Sequence, residues 1–160
     1  ALDSEIILNV QGDEPLMTAD AIDGVAGLLL SRPNDQMATL RRRTEDEADL
    51  DNPSVVKLVV DAQGYALYFT RSRIPFVRPG QPGPIFWKHL GLYAYRRPFL
   101  ATLAGWSPTP LEQAEGLEQL RALEHGYRIS TAETWADTIG VDTPEDLERV
   151  RRLVAAGAST

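Results

Sequence analysis

The sequence predicts an α/β fold, in which strands and helices alternate along the chain. Two observations support this prediction. Short apolar, β-branched segments are separated by segments whose apolar residues recur with helical spacing. A hairpin pattern with a glycine-containing turn lies near the middle of the chain. With 160 residues, the chain fits one domain, residues 1–160, that is large enough to bury a core.

The first third of the chain predicts two strands and two helices. Residues 5–10 are predicted to be a short buried strand, because they are β-branched and apolar and are bounded by turn residues. Thr18 is a good capping residue for a helix over residues 18–30. A strand at residues 37–40 and a short acidic helix at residues 44–50 follow. The apolar face of the first helix would consist of Ala21, Ile22, Val25, Leu28 and Leu29.

The clearest local pattern is a β-hairpin. Two apolar segments, residues 55–60 and 65–69, flank the turn formed by residues 61–64, which ends in glycine. Residues 71–84 contain four prolines and two glycines, which predicts an extended loop. The remaining predicted elements are a strand at 85–95, helices at 98–103 and 111–124, a strand at 127–132 and a final helix that begins at residues 143–146.

Composition and charge exclude several classes of function. The net charge of −7 argues against general nucleic-acid binding, which needs a basic face. The arginine run at residues 41–43, followed by acids, is predicted to be a solvated surface turn. The apolar stretches are too short for a membrane span, and the beginning of the chain shows no signal-peptide pattern. The absence of cysteine excludes thiolate metal sites and fits a cytoplasmic protein.

Two aspartates follow predicted strands. Asp13 comes directly after the first strand, and in open α/β sheets ligands bind beyond the carboxyl ends of strands. Such an aspartate suits Mg²⁺, although a turn aspartate held by its own backbone is the simpler interpretation. Asp142 precedes the last helix, where an ordinary helix cap is the alternative to a second carboxylate on the same metal.

Other polar residues could bind a ligand or serve the fold. His89 lies within a predicted strand, where a single histidine is usually a hydrogen-bonded structural residue. Arg71 and Arg73 begin the proline-rich loop, and their forked guanidinium groups suit a carboxylate, but surface arginines are common. Glu118 and Gln119 could point to a ligand or to solvent.

Five motifs in order resemble one family. They are NVQGDEP at 9–15, GYALYF at 64–69, HLGLYAYR at 89–96, LEQLR at 117–121 and GVDTPEDL at 140–147. Together they resemble the 3-deoxy-manno-octulosonate cytidylyltransferase family, also called CMP-Kdo synthetase. The resemblance covers essentially the whole chain. It implies a Rossmann-like nucleotidyltransferase fold with a mixed sheet, flanking helices and a β-hairpin excursion.

The resemblance also implies a reaction and a set of site residues. CTP and the sugar acid Kdo would give CMP-Kdo and pyrophosphate, for bacterial lipopolysaccharide, with Mg²⁺ as cofactor and a homodimer as the assembly. Asp13 and Asp142 match the metal-binding aspartates of the family, and Gln11 and Gly12 match the junction of the nucleotide and sugar sites. The positions that match the Kdo pocket are Arg71, His89, Tyr93, Glu118 and Gln119.

The family usually begins with a strand and a basic, glycine-containing loop that grips the triphosphate. This part does not occur in the 160 residues, so we expect them alone to bind CTP poorly and to be inactive. Two alternatives are a cytidylyltransferase for an amino analogue of Kdo or a sialic-type acid, and a non-catalytic fragment that only dimerises.

Overall fold

The computed structural model describes residues 4–12, 14–136, 140–141 and 143–157. The elements in chain order are β1 (Ile6–Val10), α1 (Ala19–Ser31), β2 (Met37–Thr44), α2 (Glu47–Asp51), β3 (Lys57–Val60), β4 (Ala66–Thr70), β5 (Phe86–Arg96), α3 (Arg97–Ala104), α4 (Pro110–Glu115), α5 (Gln119–Glu124), β6 (Ile129–Glu133) and α6 (Pro144–Gly157). The predicted α/β class is confirmed.

A six-stranded mixed sheet forms the centre of the molecule. Its strands lie in the order β4-β3-β5-β2-β6, and β1 pairs with the second half of β5. The β2–β6 pair is parallel, whereas the other pairs are antiparallel. β5 is therefore the central strand, since it pairs with β2 along one side and with β3 and β1 along the other.

Helices cover both faces of the sheet. On one face α1 places Val25 and Leu29, both fully buried, against β2 and β5. On the other face Phe99 of α3 and Leu120 of α5 pack with the aromatic residues of β5. No helix among the described residues is long and apolar enough to span a membrane.

The α1 helix and the hairpin form where the sequence predicts them. The side-chain oxygen of Thr18 accepts a hydrogen bond from the backbone N–H of Ala21, which is the expected helix cap. In the hairpin turn, the Asp61 carboxylate accepts hydrogen bonds from the N–H groups of Gln63 and Tyr65, both at 2.9 Å. Gly64 has a φ of 82°, a conformation that favours glycine and that closes this turn.

The predictions for two strands are wrong, for β2 in where the strand ends and for β1 in how far it is buried. The arginine run 41–43 is not a surface turn, because β2 continues through it to Thr44. Arg41 is half-buried there, with its guanidinium 4.6 Å from the ring centre of Trp87 and bonded to the carbonyl of Thr131 at 2.8 Å. Strand β1 forms as predicted but is only partly buried, and among the described residues it pairs with β5 alone.

The predicted single helix over residues 111–124 is two helices. Gly116 ends α4 in the left-handed conformation, with a φ of 64°, and α5 begins three residues later at Gln119. Arg121 joins the two helices through an ion pair with the buried carboxylate of Glu112. Leu111, predicted to be on the apolar stripe, is 41% exposed, because the break turns α4 away from the core.

Candidate functional site

A large polar cleft lies on the sheet face that carries α3 and α5. Its volume is about 1010 Å³. The predicted site residues that line it are Gln11, Arg71, His89, Tyr93, Glu118 and Gln119. Gly12 is exposed and is not among the lining residues. The two predicted metal ligands, Asp13 and Asp142, lie outside the described residues.

The floor of the cleft comes from alternate residues of β5. Successive side chains of a strand point to opposite faces, so Leu90, Leu92 and Ala94 enter the core beneath α1. The intervening residues, His89, Gly91, Tyr93 and Tyr95, all line the cleft. Residues 89–96 thus contribute one face of the strand to the core and the other face to the cleft.

His89 is held as a neutral imidazole. Its Nε2 lies 2.9 Å from Oγ1 of Thr39, and that hydroxyl donates its single hydrogen to the carbonyl of Leu92 at 2.8 Å. Thr39 Oγ1 therefore accepts from the Nε2–H of His89, which leaves Nδ1 as an acceptor. Burial lowers the pKa of His89 to about 3. His89 is therefore a hydrogen-bonded structural residue, as the sequence suggested, and it also lines the cleft.

The tyrosines of the floor are hydroxyl donors at neutral pH. Burial raises the pKa of Tyr93, and Tyr95, Glu118 and Glu14 raise it further by charge repulsion. The pKa of Tyr95 is raised by burial and by Glu118 in the same way. Both phenols keep their protons and can donate hydrogen bonds.

The α4–α5 break places two polar side chains at the cleft. Glu118 is exposed and immediately precedes α5. Gln119 begins α5 and is 5% exposed, yet its Nε2 has no hydrogen-bond acceptor among the described residues. A buried amide without a partner is costly, so this group is well suited to donate to a ligand.

Arg71 lines the cleft, whereas Arg73 does not. Nε of Arg71 donates to the carbonyl of Glu115 at 2.9 Å, and Nη1 donates to the carbonyl of Pro53 at 2.9 Å. Arg73 instead forms ion pairs with Glu47 and Asp51 of α2. The residue pattern did not distinguish these two arginines, whereas the structure places only Arg71 at the cleft.

Glu14 is a site residue that the sequence reasoning missed. Its Oε1 accepts a hydrogen bond from the N–H of Gly91 at 3.4 Å, and its Oε2 is buried without a partner among the described residues. A Cβ on Gly91 would lie 3.2 Å from Cγ of Gln11, so the absence of a side chain lets Gln11 approach the strand. The position of Glu14 beside Asp13 was the available signal.

One wall of the cleft carries charged side chains of both signs. Lys88 lies 3.4 Å from Asp49, and Arg43 lies 2.6 Å from Glu45. These four residues and Arg42 all line the cleft. This wall could also not be predicted, because the arginine run was assigned to a turn.

The described residues contain no group of three or more His, Asp or Glu side chains that could hold a metal. Gln11 and Glu14, which are close in sequence to Asp13, line the cleft. Gly140 and Asp146, which are close in sequence to Asp142, line it as well. Both segments that carry the predicted metal ligands therefore reach the same cleft.

Comparison with known proteins shows which family the chain belongs to. The family model described as "Cytidylyltransferase" matches residues 1–129. The 3-deoxy-manno-octulosonate cytidylyltransferase of Solibacter usitatus is 50% identical over 156 residues, which cover 98% of this chain and 62% of that protein. The 8-amino-3,8-dideoxy-manno-octulosonate cytidylyltransferase of a Shewanella species is 46% identical over 156 residues, covering 97% of this chain and 63% of that protein.

Solved structures agree as well. The structure of CMP:2-keto-3-deoxy-manno-octonic acid synthetase complexed with CTP superposes with a TM-score of 0.90 at 39% identity, covering 98% of this chain and 64% of that chain. The 4-diphosphocytidyl-2C-methyl-D-erythritol synthase of Anaerococcus prevotii, at 12% identity and a TM-score of 0.56, shares the fold. The chain spans somewhat less than two thirds of the length of these relatives. With a family model matched over most of its length, the chain belongs to the cytidylyltransferase family.

Proposed function

We propose that this protein transfers CMP from CTP to Kdo, giving CMP-Kdo and pyrophosphate. One observation carries the proposal. The cleft is lined by the five side chains that the resemblance assigns to the Kdo pocket, which come from the residue after β4, from β5 and from the beginning of α5 with the residue before it: Arg71, His89, Tyr93, Glu118 and Gln119. The relatives from Solibacter usitatus and in the CTP complex are named for the same sugar acid.

The polar groups of the cleft complement a sugar acid. A carboxylate is matched by the guanidinium of Arg71, whose forked donors suit two oxygens. Sugar hydroxyls need both donors and acceptors. The amide of Gln119 supplies a donor, and Nδ1 of His89 supplies an acceptor.

The proposed chemistry needs alignment more than a protein nucleophile. The anomeric hydroxyl oxygen of Kdo attacks the α-phosphorus of CTP and forms the new P–O bond. The bond from that phosphorus to the oxygen bridging to the β-phosphorus breaks, and pyrophosphate leaves with the bonding electrons. The hydroxyl proton passes to solvent. Positioning and charge neutralisation supply most of the rate enhancement in such transfers.

Mg²⁺ is the cofactor that we propose for this site. Asp13 and Asp142 offer the hard carboxylate oxygens that Mg²⁺ prefers, and one or two carboxylates with substrate phosphates commonly suffice. When bound, the ion would neutralise phosphate charge. Gln11 and Gly12 precede Asp13 and would lie where nucleotide and sugar meet.

Pyrophosphate release tests the proposal. The 160 residues are placed in the matching segment of the Solibacter usitatus relative, which restores the full length of the relatives, and are assayed with CTP, Kdo and Mg²⁺. We expect release that requires all three. Release without Kdo, or no binding of Kdo by calorimetry, would contradict the proposed reaction. The same assay on the 160 residues alone tests the expectation that they are inactive.

An amino analogue of Kdo is the second candidate substrate, because the Shewanella relative is named for that sugar. The two sugars differ at carbon 8, so a direct competition between them in the same assay separates the candidates. A preference of more than about tenfold, equal to about 1.4 kcal/mol in transition-state binding, would assign the substrate.

The setting that the family implies is also a proposal. It is a cytoplasmic homodimer that feeds lipopolysaccharide synthesis. An exposed aromatic residue in the proline-rich loop, Phe76 at 85% exposure, is consistent with a protein contact there. Sedimentation of the wild type and of Phe76→Ser would test the dimer. A monomeric wild type would contradict it.

A further inference from the structure

The backbone of Arg71 is held from both sides by charged side chains that do not line the cleft. Its N–H donates to Oε2 of Glu115 at 3.0 Å. Its carbonyl accepts a hydrogen bond from Nζ of Lys57. An arginine at the end of a strand would ordinarily sample several conformations, and holding both its peptide groups removes much of this freedom.

Glu115 joins Arg71 to β4. The Oε1 atom accepts hydrogen bonds from the hydroxyl of Thr70 at 2.7 Å and from that of Tyr68 at 3.4 Å. The carbonyl of Glu115 also accepts from Nε of Arg71 at 2.9 Å. Burial acts to raise the pKa of Glu115, but these hydrogen bonds outweigh it, so that the pKa is lowered. The group is a carboxylate at neutral pH.

Lys57 is a fully buried ammonium group with carbonyl acceptors only. It has 0% exposure, and besides the carbonyl of Arg71 it donates to those of Asn52 at 2.9 Å and Val55 at 2.7 Å. Its three hydrogens are therefore all used. A buried lysine is expensive to maintain, and here it fixes the strand end from which Arg71 reaches the cleft.

These contacts leave a defined part of Arg71 for a ligand. Nε and Nη1 each donate to a protein carbonyl, and no acceptor for Nη2 occurs among the described residues. Glu115 is also the last residue of α4, directly before the left-handed Gly116 that leads to Glu118 and Gln119. The same side chain thus connects two walls of the cleft.

We infer that Glu115, supported by Lys57, is a positioning residue that presents the guanidinium of Arg71 to the carboxylate of the sugar acid. This inference rests on the proposed function for the identity of the ligand. The contacts that hold Arg71 in place do not depend on the proposed function. The isosteric change Glu115→Gln keeps the size of the side chain but replaces one acceptor oxygen by an NH2 donor, so the side chain can no longer accept both from the N–H of Arg71 and from the hydroxyls of Thr70 and Tyr68.

Two measurements test the inference, and the first uses the 160-residue chain. The first is hydrogen exchange of the Arg71 backbone amide relative to that of Phe69 in the same strand. We expect Glu115→Gln to accelerate it at least tenfold. Glu112→Gln is the control, because it makes the same change in the same helix and affects the contacts with Arg121 and with the N–H of Thr109 but none with Arg71. Equal exchange in both variants would overturn the inference, whether or not the protein binds Kdo.

The second measurement is the KM for each substrate, determined with the full-length form used for the pyrophosphate assay. Glu115→Gln and Lys57→Met should each raise the KM for Kdo about tenfold and leave the KM for CTP within twofold. Glu115→Asp, which keeps the charge, should recover part of the loss. A purely structural role predicts equal changes for both substrates, and that result would overturn the inference. If the wild type does not act on Kdo, the proposed function fails, while the exchange experiment still decides the positioning role.

Discussion

Gly91 and Gln11 are in close contact at the floor of the cleft, because a Cβ at position 91 would lie 3.2 Å from Cγ of Gln11. The same glycine donates its N–H to Glu14. The backbone of β5 at Gly91 therefore packs against the side chain of Gln11, which lies in the loop after β1. This contact sets where Gln11 lies in the cleft.

Substitution of Gly91 should weaken ligand binding more than folding. In Gly91→Ala the methyl group displaces the flexible Gln11 side chain by a few tenths of an ångström, and β5 itself is undisturbed. We expect the KM for Kdo or CTP to rise about three- to tenfold, equal to about 0.7–1.4 kcal/mol, with the melting temperature nearly unchanged. Gly24→Ala in α1, outside the cleft, is the control, since a Cβ there would meet nothing within 4 Å. Equal effects of both changes would contradict the packing argument.

Arg71 and Arg73 form a matched pair for a test of the carboxylate site. Arg71→Ala should raise the KM for Kdo much more than that for CTP, by about a hundredfold if a charge-assisted pair of roughly 3 kcal/mol is lost. Arg73→Ala removes ion pairs with α2 outside the cleft and should change neither KM by more than twofold. Steady-state kinetics with each substrate varied decide the matter. Equal effects of Arg71→Ala on both substrates would argue against a carboxylate role.

His89 should make the protein less stable in mild acid. Its pKa is about 3 in the folded protein and 6.5 ordinarily, so between these values the unfolded chain binds more protons. The free energy of unfolding then decreases as the pH falls, by up to about 1.4 kcal/mol per pH unit. His89→Gln should reduce this slope between about pH 6.5 and pH 5, measured by urea unfolding. The exposed His125→Gln is the control, and a slope unaffected by either change would refute the prediction.

The ion pair between Glu112 and Arg121 should contribute strongly to stability. The two side chains are 8% and 15% exposed, and removal of one partner leaves the other charge largely unpaired. We expect Glu112→Gln to lower the free energy of unfolding by about 3 kcal/mol. Glu148→Gln removes the exposed pair with Arg151 and should cost less than about 1 kcal/mol. Chemical denaturation of both variants gives the comparison, and similar losses would contradict it.

The pKa of Glu112 is lowered by its hydrogen bond to Arg121, against the opposing effect of burial. Its stabilising contribution is therefore complete above the ordinary value of 4.5 and is lost as the pH falls through the lower folded value. The difference in stability between wild type and Glu112→Gln should shrink below about pH 4.

Asp13 and Asp142 are predicted to be the Mg²⁺ ligands. Asp13→Asn and Asp142→Asn should each abolish Mg²⁺-dependent pyrophosphate release while leaving the far-ultraviolet circular dichroism spectrum intact. Asp20→Asn, at an exposed position in α1, is the control. Retained activity in either variant would remove that aspartate from the metal site.

Local patterns predicted the elements whose causes are local. Helix α1 and the hairpin follow from a capping threonine and a glycine turn, and both form as expected. The extension of β2 through Arg41 could not be predicted, because the contacts with Trp87 and Thr131 that accommodate this arginine come from strands distant in sequence. Its charge alone predicted that Arg41 is exposed to solvent, but packing in the folded protein leaves it half-buried.

The residues that line the cleft could be predicted in part from the sequence, whereas the residues that hold them in place could not. His89 and Gln119 lie in recognisable motifs and Arg71 follows one shortly, and all three line one cleft. Lys57 and Glu115 were missed since a buried lysine in an apolar strand and a glutamate at a helix end have no local signature. Their role becomes visible only when β3, β4 and α4 are assembled.

The left-handed turn at Gly116 bears on how this site could change in evolution. In one continuous helix, residues 115 and 119 would be neighbours on one face, so a single surface would have to support Arg71 and contact the ligand. The turn separates these tasks between two short helices. Under the proposed function, selection for a different sugar would act on Glu118 and Gln119 while the arrangement that holds Arg71 is inherited unchanged.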